Sequence, residues 1–76
     1  MNKQQREQLN ALYSEVESIK DKLKAVASDE REKYDNLNEG LQASERGQAM
    51  EAAADALDSA VSDLENVLGN IEEAMQ

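Results

Sequence analysis

Residues 50–75 read MEAAADALDSAVSDLENVLGNIEEAM, and the spacing of their apolar side chains decides the fold. Apolar residues recur there on alternating steps of three and four, which places them on one face of an α-helix and is typical of a coiled coil. The pattern predicts a helix from about residue 44 to residue 76. Its core positions are Met50, Ala54, Leu57, Val61, Leu64, Leu68, Ile71 and Met75.

A matching stripe lies in the first half of the chain and predicts a helix from about residue 3 to residue 37. Folded back in antiparallel fashion, the two stripes fit one register without any insertion. The expected core layers are Leu9 with Ile71, Leu12 with Leu68, Val16 with Leu64, Ile19 with Val61, Leu23 with Leu57 and Val26 with Ala54. The predicted fold is therefore all-α, a single antiparallel two-helix coiled-coil hairpin spanning residues 1–76.

The connection between the helices is expected at about residues 38–43. Gly40 would end the first helix with a positive φ, and Leu41 would fold back as its hydrophobic cap contact. Ser44 is the expected N-cap of the second helix. Polar residues at core positions and the sequence Ser28-Asp29-Glu30 also allow a kink in the first helix, although we expect it to be continuous.

One column beside the seam of the second helix is acidic at every heptad. In the expected register Arg6 meets Glu72 and Lys20 meets Asp58, and such exposed pairs select orientation more than they add stability. The column has two interpretations, a solvated face or an imitation of DNA phosphates that binds a partner. The residues of this acidic strip are Glu51, Asp58, Glu65 and Glu72.

The opposite column of the second helix is small and apolar, and it consists of Ala53, Ala60, Val67 and Ala74. Alanine is a strong helix former and lets two helices approach closely, which is one explanation. The other is a docking face for a second copy. We expect a homodimer that forms a four-helix bundle, because two helices alone bury little apolar area.

Regularity fails in residues 28–48, where Gly47 interrupts a helix at a cost of about 1 kcal/mol relative to alanine. A broken local rule marks either a packing requirement or a functional site. In the first case Tyr34 would lie across Gly47, with Lys33, Glu30 and Arg46 pairing around it. In the second, this tip would recognise a partner. The contacts would then come from Tyr34, Asn36, Glu39, Gln42 and Arg46.

Charge and composition exclude several classes of function. The net charge is −9, from 17 acidic and 8 basic residues, which disfavours binding to nucleic acid or anionic membranes. The chain lacks His and Cys and has no glycine-rich phosphate loop, so we expect no catalysis, metal or cofactor. No apolar run is long enough to span a bilayer, and we expect no secretory signal and a cytoplasmic protein.

The stretch YDNLNEGLQASERGQAME, residues 34–51, and the Ala-Leu-Asp and Asp-Leu-Glu blocks that follow resemble small acidic proteins of bacteriophages and prophages. The resemblance covers about the last 45 residues. It implies a setting inside a bacterial host and not a mechanism. Short acidic phage proteins often block host enzymes or defence complexes, some by imitating nucleic acid.

Two functions follow as expectations. In the first, the chain binds one host or phage protein and inhibits it, as an anti-defence or host-takeover factor. The partner would be a nucleic-acid-binding host enzyme or a defence complex. In the second, the chain is a structural module for oligomerisation or assembly. Substitutions at the tip and in the acidic strip that leave the chain folded distinguish the two.

Overall fold

The structure is a computed structural model that describes all residues from 1 to 76. It contains three helices and no β-strand: α1 (Lys3–Asp35), α2 (Glu39–Gln42) and α3 (Glu45–Met75). The prediction of an all-helical chain is confirmed. None of the helices combines the length and the apolar character needed to cross a membrane.

Helix α1 begins with a capping box and runs without a break. The Gln5 N–H donates to the Asn2 side chain at 2.8 Å, and the Asn2 N–H donates to the Gln5 side chain at 3.2 Å. These reciprocal bonds satisfy two amides that a helix start would otherwise leave unpaired. The helix continues through residues 28–30, where a kink was conceivable, and ends at Asp35 with Asn36 as its C-cap.

The connection reverses the chain differently from the expectation based on Gly40. No residue has a positive φ, and Gly40 lies inside the short helix α2. Asn38 and Ser44 instead adopt extended backbone conformations and cap the helices that follow them. Leu41, expected as the hydrophobic cap contact, lies in α2 and is 52% exposed. Two N-caps therefore turn the chain, because each one redirects the backbone while satisfying amides of the next helix.

Helices α1 and α3 pack along each other in opposite directions. Contacts join the beginning of α1 to the end of α3, as between Tyr13 and Glu72, and the end of α1 to the first half of α3, as between Arg31 and Asp55. The molecule is a rod of 58 × 14 × 13 Å. Its radius of gyration of 17.2 Å exceeds the roughly 11 Å of a compact domain of this length.

The core is thin and belongs mainly to α3. Only five residues are buried, and four of them form one column of α3 at heptad spacing. The column consists of Gly47, Ala54, Val61 and Leu68. Met50, Leu57, Leu64, Ile71 and Met75 are half-buried beside it. The face that α3 turns to α1 is thus the face that carries its apolar periodicity.

Helix α1 is rotated relative to the predicted layers. The column expected opposite Leu68, Val61 and Ala54 is about half exposed: Leu12 by 48%, Ile19 by 51% and Val26 by 52%. The column on the other side of Leu9, Val16 and Leu23 turns inward in its place. That inward column contains half-buried Tyr13, Lys20 and Tyr34 and buried Ala27. The prediction of Leu12, Ile19 and Val26 as core residues was therefore wrong.

The side chains of the inward column explain the rotation. The rotated face brings the hydroxyls of Tyr13 and Tyr34 to carboxylates of α3, and Ala27 is small enough to allow close approach. Aromatic rings bury a large area while their hydroxyls need a polar partner. The rotation meets both requirements, and the exposed aliphatic column on the opposite flank of α1 is its consequence.

Candidate partner-binding surfaces

Polar contacts join α1 to α3 on the side of the helix pair that carries the inward column of α1. The Tyr13 hydroxyl donates to Glu72 at 2.7 Å. The Arg31 guanidinium donates to Asp55 at 2.8 Å and to Asp58 at 3.0 Å, and it is the only ion-paired cation in the structure. We call this the polar side. These partners replace the expected pairs of Arg6 with Glu72 and of Lys20 with Asp58, and Tyr13 follows Arg6 by one heptad in the same column of α1.

These contacts change the proton affinity of both tyrosines and of the arginine. A hydrogen bond to Glu72, with desolvation and the charge of the same carboxylate, raises the pKa of Tyr13 above its usual value. The nearby carboxylate of Glu51 does the same for the pKa of Tyr34. Hydrogen bonds to Asp55 and Asp58 raise the pKa of Arg31. Each shift favours the protonated group, because it is the donor in its contact.

The acidic strip is divided by this arrangement. Glu51, Asp58 and Glu72 already contact α1, whereas Glu65 is exposed and forms no ion pair or side-chain hydrogen bond. The four carboxylates are therefore not equivalent. Asp63 and Glu73, which lie near the strip on α3, are also exposed without such bonds, so they and Glu65 are free to meet a partner.

The expected tip residues lie around α2, with different exposures. Asn36 and Glu39 are exposed, and Tyr34 is half-buried with its carbonyl accepting from the Gln42 side chain at 3.1 Å. Arg46 is exposed and forms no ion pair. It stands at the edge of a cavity of about 220 Å³. The cavity is otherwise lined by Leu37, Leu41, Ser44, Gly47 and Met50.

Gly47 is explained by the packing of α2 and not by Tyr34. A methyl group at Gly47 would overlap the carbonyl oxygen of Leu41 and lie 2.5 Å from that of Gln42. The end of α2 therefore rests on the bare backbone of Gly47. The three atoms nearest to such a methyl group belong to Leu41 and Gln42, so the close approach that the glycine serves is that of α2. Lys33, Glu30 and Arg46 form no ion pairs there.

The opposite side of the rod is apolar, and we call it the apolar side. On α1 it consists of Leu12, Ile19 and Val26, each about half exposed. On α3 it consists of the predicted dimer face, in which Val67 is 42% exposed, Ala53 and Ala74 are exposed and Ala60 is half-buried. Successive residues of an α-helix are 100° apart. On this spacing, each of the two columns lies on the flank of its helix that faces away from the polar side.

Sequence reasoning found the α3 part of the apolar side and missed the α1 part. It assigned Leu12, Ile19 and Val26 to the core of one chain, because either flank of Leu9, Val16 and Leu23 can close on α3. The signal that favours the other flank was present in Tyr13, Ala27 and Tyr34 at heptad spacing. Two aromatic residues opposite acidic residues indicate that flank.

The structure contains no group of three or more acidic side chains placed to hold a metal ion. A second cavity, of about 320 Å³, lies beside the polar side. Its lining includes Arg31, Glu32, Asp35 and Asp58, so it is a charged groove between the helices.

No protein family, curated protein or solved structure matches this chain.

Proposed function

We propose that this chain is a non-enzymatic interaction protein, a coiled-coil hairpin that pairs with a second copy and binds another protein. The observation that carries the proposal is the apolar side, which leaves three large aliphatic side chains about half exposed. Exposed apolar surface arranged in a continuous patch is characteristic of interaction sites. The lack of His and Cys supports the non-catalytic part of the proposal.

The second partner is proposed to be a host or phage protein that the chain inhibits. The resemblance of residues 34–51 to small acidic phage proteins supports a bacterial, cytoplasmic setting. The concentration of negative charge on α3 supports a basic partner surface, as found on nucleic-acid-binding enzymes and some defence complexes. In this view Asp63, Glu65 and Glu73 meet the partner, because they are not already bound to α1.

Affinity capture from a bacterial host lysate tests the inhibitory function. The informative variant carries Asp63→Asn, Glu65→Gln and Glu73→Gln, which remove charge without touching any contact between the helices. A matched control removes three charges from α1 instead, through Glu7→Gln, Glu15→Gln and Glu17→Gln. Charge-based recognition predicts a host protein that the native chain and the control retain and that the α3 variant loses.

The tip is tested in parallel with the double substitution Gln42→Ala and Arg46→Ala. Retention by the α3 variant and loss by the tip variant would assign recognition to the tip. Circular dichroism of each variant shows whether the helices persist, which separates lost recognition from lost folding.

A structural module for oligomerisation or assembly is the second candidate, and the same apolar side favours it. If the native chain recovers only itself from the lysate, at a concentration where its oligomer is formed, the inhibitory function is wrong. In that case a role in oligomerisation or assembly accounts for the exposed apolar side. High salt also discriminates, because it weakens charge-based capture and leaves apolar self-association intact.

A further inference from the structure

We propose that the apolar side binds a second copy of this chain with α1 of each copy lying over α3 of the other, so that both tips stand at the same end. This arrangement rests on the dimer in the proposed function and specifies its geometry. It follows from the area, the side-chain sizes and the charges of the two helices.

One whole side of the rod has the area that each partner contributes to a stable dimer. The accessible surface of the chain is 5500 Å², whereas a compact monomer of 8.4 kDa exposes about 4,600 Å². The rod is 58 Å long and 14 Å wide, so one side offers about 800 Å², the share that each partner contributes to an interface of standard size. A second copy on this side would therefore bury an area comparable to the excess surface.

Two face-to-face arrangements have twofold symmetry. If the axis runs along the rod, the tips coincide and α1 of one copy lies over α3 of the other. If the axis crosses the rod, the tips are at opposite ends and each helix lies over its own copy. A closed dimer uses the same patch on both chains, so the choice depends on which helix pairs fit.

Side-chain size favours α1 over α3. The α1 column contains Leu12, Ile19 and Val26, while three of the four residues in the α3 column are alanine. Large residues of one helix then meet small residues of the other, which keeps both helix pairs at a similar separation. With each helix over its own copy, the α1 pair would be held apart by its large side chains. The alanines of the α3 pair would then leave a gap.

Charge favours the same arrangement more strongly. Helix α3 holds 8 acidic residues and the single base Arg46, a net charge of −7. Helix α1 holds 8 acidic and 7 basic residues, a net charge of −1. Placing α3 over α3 brings together two strongly negative helices along the rod. Placing α1 over α3 gives each acidic helix a nearly neutral neighbour that carries almost all the bases of the chain.

The first experiment measures the oligomeric state of the native chain by sedimentation equilibrium, beside Ile19→Glu and Ser18→Glu. Both substitutions add one negative charge at adjacent exposed positions of α1, but only Ile19 belongs to the apolar side. We expect a native dimer, a dimeric Ser18→Glu variant and a monomeric Ile19→Glu variant of unchanged helicity. If Ile19→Glu loses its helicity, Ile19→Ala is measured instead. Its dimer dissociation constant should rise about tenfold or more.

The second experiment measures orientation. Because the chain has no cysteine, Ala43→Cys introduces one spin label at the exposed tip and Gln4→Cys introduces one at the opposite end. With the tips together, each singly labelled dimer gives a distance below about 30 Å, since neighbouring axes in a bundle lie 8–10 Å apart. With the tips apart, the Ala43→Cys distance approaches the rod length of 58 Å.

Each outcome supports or overturns a defined part of the proposal. A monomeric native chain, a larger assembly, or a dimer that survives Ile19→Glu overturns the docking of a second copy on the apolar side. A dimer with distant tips overturns the arrangement of α1 over α3 and leaves the dimer of the proposed function standing. Close tips together with a native chain that captures no host protein overturn the inhibitory function alone.

Discussion

The polar side and the apolar side of the rod differ in how far contacts within a single chain satisfy their side chains. On the polar side, Tyr13 and Arg31 reach across to carboxylates of α3 at 2.7 to 3.0 Å. On the apolar side, Leu12, Ile19 and Val26 remain about half exposed. Two helices provide one seam, so a second apolar flank has nothing to pack against unless another molecule supplies it. Contacts within one chain therefore account for the polar side only.

The largest expected effect contrasts a buried residue of α3 with an exposed residue of α1. Leu68→Ala should lower the free energy of unfolding by about 2–5 kcal/mol, because it removes one of the few buried side chains. Leu12→Ala should cost about 1 kcal/mol or less in the monomer. Thermal unfolding followed by circular dichroism measures both. A cost of Leu12→Ala that grows with protein concentration would show that the apolar side is covered in a dimer, whereas equal costs at low concentration would contradict the observed rotation of α1.

The two glycines of α3 should respond in opposite directions to alanine. Gly47→Ala should destabilise the chain by roughly 1–3 kcal/mol, because the new methyl group collides with carbonyls at the end of α2. Gly69→Ala meets nothing within 4 Å and should stabilise α3 by about 1 kcal/mol. Chemical denaturation with urea measures the pair. Stabilisation by both substitutions would indicate that α2 does not rest on Gly47.

A smaller effect should follow the removal of Arg31. Arg31→Gln breaks the contacts with Asp55 and Asp58, and exposed ion pairs contribute little in water. We expect a slight fall in the unfolding midpoint at low salt that disappears at high salt, since screening weakens the native pairs as well. Lys24→Gln, at an exposed position that forms no ion pair, is the matched control. A loss that persists at high salt would indicate a packing role for the Arg31 side chain.

The smallest expected effect concerns the tyrosines at alkaline pH. Their raised pKa values mean that stabilisation from these hydrogen bonds is complete below the unfolded value of about 10. It is lost as the pH rises through the folded-state pKa. Absorbance titration of Tyr34→Phe isolates Tyr13, and adding Glu72→Gln should lower its midpoint. An unchanged midpoint would place Tyr13 away from Glu72.

Much of the fold could be predicted because periodicity is a local property. The heptad spacing in α3 identified Ala54, Val61 and Leu68, three of its four buried residues, and Ser44 caps α3 as its position before an acidic first turn indicates. The reversal could not be predicted from Gly40, since Asn38 and Ser44 both offer caps and the sequence does not rank them against a glycine turn. The role of Gly47 depended on α2, an element of four residues with no periodicity of its own.

For the candidate surfaces, sequence reasoning placed Glu51, Asp58 and Glu72 in one column but did not identify their partners on α1. A carboxylate can pair with either of two residues one heptad apart on α1, and only the packed helices set both that axial offset and the rotation of α1. The choice made Tyr13 and Arg31 the partners and left Glu65 free. It also moved Leu12, Ile19 and Val26 from the expected core to the surface.

The sequence alone determined that this chain is helical and acidic and that each long helix carries an apolar stripe, because helix periodicity, caps and charge are properties of neighbouring residues. Tertiary structure decided which flank of α1 turns inward, since that depends on how tyrosine rings, Ala27 and Arg31 fit against α3 all at once. The apolar side is the product of that decision. It is exposed because two helices form a single seam, and that seam cannot also bury the column of Leu12, Ile19 and Val26.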